Sequence, residues 1–246
     1  FSSNGVADMN GIRALSYING IRVNGFPRID VDRSGGSRNG WIYVSTSEKT
    51  LAPATDGGDA IVHRSTNGGV TWTKVRANAV ATGLQYFAAV RVDESGGVNV
   101  VYYDTRNTPT NDSAEAYISR SLDGGNTWTD IKASDAKFRP LPISGLAGGY
   151  QGDYIGITSG NGKVWPYWCD NRTGIYQAWI TSIATTENFG WVKGTITNVS
   201  GGAALAGVDV DFTDPIPQVP GVSSATGLYY AGAKVDTPGT TRAVTM

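Results

Sequence analysis

Hydrophobic and polar positions alternate along this chain. "FPRIDVD" (residues 26–32), "WIYVSTS" (41–47), "AIVHRS" (60–65), "FAAVRVD" (87–93), "VNVVYYD" (98–104) and "AYISRS" (116–121) are short runs rich in Val, Ile, Tyr and Phe. Each ends at Gly, Asn, Asp, Ser or Thr. A period of two in runs this short predicts β-strands. No stretch keeps apolar residues at i, i+3, i+4 and i+7 long enough for a helix. The predicted class is all-β.

The strands come in a repeat. Residues 60–75, "AIVHRSTNGGVTWTKV", and 116–131, "AYISRSLDGGNTWTDI", share Ala, Arg, Ser, two Gly, two Thr and Trp, eight positions of sixteen. Upstream, "FPRIDVDRSGG" (26–36) matches "FAAVRVDESGG" (87–97) in Phe, Val, Asp, Ser and both glycines. Each unit reads strand, turn, strand, longer loop, strand, S-x-[DN]-G-G-x-T-W turn, strand. Four antiparallel strands recurring at about 60 residues predict propeller blades. A third unit opens at Tyr154, "YIGITSGNGKVWPYWCDNRTGIYQAWITS", and offers three strands but neither that turn nor a clear fourth strand. Residues 1–25 read as the end of a preceding unit. The expectation is a partial propeller of about three blades over 1–184. Its remaining blades are expected from a longer chain or from other copies.

The shared turn is dense in polar groups, and each has a structural task. Ser65 and Asn67, like Ser121 and Asp123, can bond nearby backbone N–H groups and close the turn. Gly69 and Gly125 can take φ > 0 without steric cost. Trp72 and Trp128 resume the strand and can pack between sheets. No base stands beside a nucleophile here. The two stretches resemble Asp boxes, also called BNR repeats, of sialidase-like β-propellers. That resemblance implies a propeller with the boxes on the face away from the ligand. Sialidases use a Tyr nucleophile with a Glu beside it, an Asp acid/base and three Arg residues. The Phe/Tyr-Arg-Ile-Pro motif of that family is absent, since "FPRI" has the letters in another order, and no position matches the Tyr/Glu pair. Catalysis by this chain is therefore not expected.

In such a blade the end of the second strand and the approach to the first share the ligand face. Those places hold Asp104 and Arg106 ("YYDTR"), Asp170 and Arg172 ("CDNR"), Arg28 ("FPRID"), and Tyr150, Asp153 and Tyr154 ("GGYQGDYIG"). Two readings stand. Arg can grip a ligand carboxylate bidentately, with tyrosines beside it. Alternatively each D-x-R forms an Asp–Arg pair that locks a turn.

Charge and rare residues narrow the chemistry. Net charge is −1 with no basic run, unlike a nucleic-acid surface. No apolar run approaches the ~18–20 residues of a membrane span. One His (His63) and one Cys (Cys169) leave no zinc site of several such ligands and no internal disulfide. Any Ser-His-Asp triad would have to use His63, which lies mid-strand; His63 and Cys169 are expected to be structural. The loops at 32–40, 55–59 and 93–97 lack the alternating acids of a calcium loop and read as turns. No metal and no cofactor is expected.

The character changes past Ile183. Residues 185–189 read as a linker, and 190–246 resemble a carboxypeptidase-regulatory-like β-sandwich in "GWVKGTI", "LAGVDV" and "TGLY". This stretch is short beside the ~80–100 residues of a whole sandwich domain, and the resemblance implies no catalytic residues. Together these features suggest a secreted or cell-surface bacterial protein whose propeller binds a glycan or a surface protein. The alternatives are an exo-α-sialidase-type hydrolase and a structural adhesion component.

Overall fold

The computed structural model describes residues 11–49 and 57–185, and in the tail 189–195, 197, 200, 202–204, 209–210, 218–219, 221–222 and 228–234. The chain divides into two compact units, Phe1–Thr185 and Thr186–Met246. Every regular element among the described residues is a β-strand.

The first unit opens with a hairpin, β1 (Arg13–Ile18) and β2 (Ile21–Asn24). Three sheets follow, each antiparallel. The first is β3 (Arg28–Val31), β4 (Ile42–Glu48), β5 (Asp59–Ser65) and β6 (Thr73–Arg76), in that spatial order. The second is β7 (Gln85–Val92), β8 (Val98–Asp104), β9 (Glu115–Ser121) and β10 (Thr129–Lys132), also in order. The third runs β11 (Gly156–Gly160), β12 (Lys163–Asp170), β13 (Gln177–Ile180), with β14 (Ile183–Ala184) also paired to β12. Strands that pair in sequence order, three times over, make the partial β-propeller that the repeat predicts.

Among the described residues the third blade shows no strand outside β13 and β14, which pair with β12 as one interrupted strand. Pro166 accepts from Thr181 N–H at 3.4 Å but has no N–H to return. Pairing to β12 stops at Ile180 and resumes at Ile183.

The hairpin belongs to residues 1–25, read from the sequence as the end of a preceding unit, of which 1–10 lie outside the described residues. It does not lie in any blade's sheet. Its tip and second strand meet the loops beyond the second-strand ends: Asn19 donates to Asp112 O at 2.6 Å and Arg22 N–H to Gly149 O at 2.8 Å. At its base, Ile12 and Gly25 both bond Ser47, near the end of β4.

The core sits between blades. Tyr43, Ala60 and Val62 of the first sheet pack against Ala88, Val90, Val92, Val100, Tyr102 and Tyr117 of the second, with Trp41, Val75 and Trp128 at the margin. Polar bonds cross the same seam, from Ser45 Oγ to Ala88 O at 3.3 Å and from Ala88 N–H to Ser47 Oγ at 3.1 Å. At the next seam Tyr103, which occupies the place of Ser47, bonds both the N–H and the carbonyl of Cys169, at 2.9 and 2.7 Å. The middle strand β8 is buried on both faces as a result. On β12, Tyr167 is 41% exposed where its counterpart Val101 is fully covered.

Both polar turns have the same hydrogen-bond frame. Gly69 N–H donates to Ser65 Oγ at 2.8 Å, Thr71 N–H to Asn67 Oδ1 at 2.9 Å, and the Trp72 indole to Gly69 O at 3.0 Å. The second turn matches it with Gly125 N–H to Ser121 Oγ at 2.7 Å, Thr127 N–H to Asp123 Oδ1 at 2.9 Å, and the Trp128 indole to Gly125 O at 3.2 Å. Gly124 has φ +75°, and a Cβ there would lie 2.6 Å from Arg38 of the neighbouring blade. Arg64 donates across to Gly124 O at 2.7 Å. The turn thus closes its own strands and docks on the next sheet.

The loops at 32–40 and 93–97 are turns in which Asp32 and Asp93 each accept from a backbone N–H and a hydroxyl two residues on, Ser34 and Ser95. Residues 55–56 of the loop at 55–59 lie outside the described residues. In the second unit, β15 (Phe189–Thr195), β16 (Asp209–Val210), β17 (Gln218–Val219), β18 (Gly221–Val222) and β19 (Leu228–Lys234) form sheets ordered β15-β19-β17 and β16-β18.

Trp128→Ala is expected to cost about 2–3 kcal/mol, below the range for a fully buried aromatic because Trp128 is half-buried. Chemical denaturation should show this, with ligand binding by the folded fraction unchanged. Asp93 carries a pH term. Burial works against its charge, but the Ser95 hydroxyl, the Arg120 guanidinium and the Asn99 amide outweigh it and hold the carboxyl below its ordinary value. Its stabilisation is complete above the unfolded carboxylate value of about 3.9 and is lost as pH falls below that, through the lower folded value. Asp93→Asn should therefore flatten the acid side of a melting temperature against pH curve.

Candidate functional site

The two D-x-R turns lie at equivalent ends of β8 and β12. Asp104 pairs with Glu115 at one end of the second blade, while Ser121, which opens the Asp box, pairs with Val98 at the other. Arg106 and the Asp box therefore leave the β8–β9 pair at opposite ends.

These turns are closed upon themselves. Arg106 N–H donates to Asp104 Oδ1 at 2.7 Å, and the guanidinium forks onto Asp104 Oδ2 at 2.8 and 2.6 Å. Its remaining nitrogen bonds Asp130 at 2.6 Å, and the plane lies 4.3 Å from the centre of the Tyr117 ring. Arg172 repeats this on Asp170, from its N–H at 3.1 Å and its guanidinium at 2.6 Å, with Asp135 as the second acid and Trp179 as the ring at 4.2 Å. The two side chains are 7% and 11% exposed. Burial opposes the charge on Arg106, yet Asp104, Tyr102 and Asp130 hold it well above its ordinary value. Burial likewise pushes the Asp104 carboxyl up, against the pull of Arg106. The geometry is that of an Asp–Arg pair locking each turn, with every guanidinium nitrogen of Arg106 and Arg172 bonded within the chain.

The first blade uses different residues at the same place. Glu48 ends β4 as Asp104 ends β8, and is met by His63 at 2.6 Å and by Lys74, which stands where Asp130 stands in the second blade. His63 is fully buried in this pairing. Sequence reasoning missed Lys74 and Asp130 as partners because the pairing crosses from one strand to another.

The other four candidates come together at the mouth of the blades. Arg28, at the start of β3, lies 5.9 Å from the Tyr154 ring centre and makes no ion pair with a described residue. Tyr154 is 68% exposed. Beside it Asp153 meets Arg22 of β2 at 3.6 Å, and Arg22 in turn lies over the Tyr150 ring at 4.9 Å. Arg22 joins the group only through the hairpin fold, and its sequence context gave no signal.

Register places Phe26, Phe87 and Tyr154 at one equivalent position in the three blades. Phe26 and Phe87 sit 6.1 Å apart and both have positive φ, +21° and +57°. Bulky side chains rarely take that region, at a cost on the order of 1–3 kcal/mol each. At Phe87 the cause is the bulge between Tyr86 and Ala89, and the ring packs against Phe26, Tyr86 and Tyr103. The sequence did align the two phenylalanines, but not their conformation.

No family model matches the chain, and no curated protein does. Solved structures do. An α-L-arabinanase of Penicillium chrysogenum, complexed with arabinobiose, is 16% identical over 96% of this chain and 72% of its own, with a TM-score of 0.50. An α-L-arabinofuranosidase of Fusarium graminearum, in complex with an iminosugar inhibitor, is 14% identical at a TM-score of 0.47. It is covered over 45% of its length and covers 65% of this chain. An endo-arabinase of Bacteroides thetaiotaomicron is 11% identical at 0.41, over 87% of this chain and 75% of its own. The likeness is one of fold, and these structures are glycoside hydrolases by name.

Arg106→Ala should lower stability by about 3–5 kcal/mol, since it strands the buried Asp104 and Asp130 carboxylates without a cation. Urea unfolding measures it. Loss of ligand binding at unchanged stability would instead make Arg106 a ligand group.

Proposed function

We propose that the propeller segment binds a glycan at the end that carries Tyr154 and Arg28, without catalysis by this chain. The observation that carries the reading is the exposed Tyr154 ring with the Arg28 guanidinium 5.9 Å from its centre and in no ion pair with a described residue. An aromatic face meets the C–H face of a sugar ring, and a guanidinium beside it donates to ring hydroxyls. The fold likeness to an arabinanase solved with arabinobiose supports the ligand class. The locked state of Asp104 and Asp170 supports binding over hydrolysis, because each carboxylate is already spent on its own arginine. The missing Phe/Tyr-Arg-Ile-Pro motif argues the same way for sialosides.

Affinity electrophoresis or calorimetry against a panel of polysaccharides tests this. Tyr154→Ala should weaken binding at least tenfold, about 1.4 kcal/mol, at unchanged melting temperature, and Tyr154→Trp should keep it. Release of reducing ends by the purified protein would replace binding with hydrolysis. Full affinity in Tyr154→Ala would remove the site from this face.

A further inference from the structure

Four polar atoms at the junction of the β1–β2 hairpin and the 143–153 loop have no hydrogen-bond partner. They are both amide atoms of Gln151, Oδ1 of Asp153 and Nε of Arg22. Gln151 is only 4% exposed. Buried polar groups are nearly always paired, and each left unpaired costs about 1–3 kcal/mol. Two of them meet: Arg22 N–H donates to Gly149 O at 2.8 Å, and its guanidinium approaches Asp153 at 3.6 Å, longer than a good ion pair, while Gln151 lies between Gly149 and Asp153 in the same loop.

We propose that Arg22, Gln151 and Asp153 form a subsite that reads the hydroxyls of a neutral saccharide; this rests on the reading of this end as a glycan-binding surface. The unpaired set holds two acceptors, Gln151 Oε1 and Asp153 Oδ1, and two donors, Gln151 Nε2 and Arg22 Nε. A hydroxyl donates once and accepts, so a pair of neighbouring hydroxyls answers all four. A carboxylate or sulfate only accepts. It would leave both acceptors unpaired and would set its charge beside the Asp153 carboxylate. The subsite therefore selects against anionic sugars. The Tyr150 ring, 4.9 Å from the Arg22 guanidinium, supplies an apolar face.

Access is through the loop. The four atoms are closed from solvent, but the side chains of Arg22 and Asp153 reach the surface at 33% and 19% exposure. Gly152 has φ +114° with open space beside it, and residues 144–148 are exposed. Such a segment, with few buried contacts, is the kind that opens locally. Unpaired atoms also occur between the first two blades, at Asp32 Oδ2 and Tyr43 Oη. Those residues are almost fully buried in a packed seam, with no comparable route to the surface.

Calorimetry on the full chain with xylohexaose, cellohexaose, oligogalacturonate and sialyllactose decides it. A neutral ligand should bind at least tenfold more tightly than either anionic one. Gln151→Leu should lose at least tenfold in that affinity with the melting temperature unchanged or raised, because it removes an unpaired amide. Asp153→Asn, which keeps the shape, should lose affinity as well. Preference for an anionic ligand, or full affinity in both variants, overturns the subsite; if Tyr154→Ala still abolishes binding, the glycan-binding reading survives. A lowered melting temperature in Gln151→Leu with affinity intact makes Gln151 structural and also overturns it. No binding of any of the four ligands by the wild-type chain defeats both readings.

Discussion

Face-to-face packing of neighbouring sheets is the constraint on which this structure depends. A single four-stranded sheet has two faces and no interior. Its apolar residues are covered only when another sheet lies against them. The cluster from Tyr43 to Tyr117 belongs to no blade alone but to the seam between two. The strand burial follows from this: β8, between two neighbours, is buried throughout, while β12 alternates. It also explains why polar devices cluster at the two ends of the blades. Where the faces are taken by packing, the ends remain for turns and locks.

The two ends have solved this differently. At one end the Asp boxes spend Ser, Asp or Asn and Gly on closing a turn, and Gly124 lets the next blade approach within reach of Arg38 and Arg64. At the other end the D-x-R turns place a guanidinium beneath the strand end, between two acids and an aromatic ring. Both are structural repeats, closed by hydrogen bonds within the chain. The mouth around Tyr154 is where the repeat breaks down. The hairpin inserts Arg22, the third blade presents an exposed tyrosine where the second buries Phe87, and polar groups are left unmatched. Satisfied networks rigidify a fold, whereas a buried polar group left unmatched costs free energy.

The sequence by itself determined the strands, their grouping into repeating units and the chemistry of the turns. Those are local matters: a period of two, a Gly at positive φ and a Ser four residues before the N–H it accepts from are all written within a dozen residues. It also placed Asp104 and Arg106 opposite the Asp boxes, because strand direction in a meander alternates. The tertiary structure decided everything that joins distant segments. It turned Arg106 and Arg172 from candidate ligand groups into locks, by bringing Asp130 and Asp135 from other strands and loops. It carried Arg22 over to Asp153, across more than a hundred residues of chain, and set Phe26 against Phe87. Whether a charged side chain is a lock or a ligand group depends on which partners are within hydrogen-bond reach, and that is a property of the folded surface.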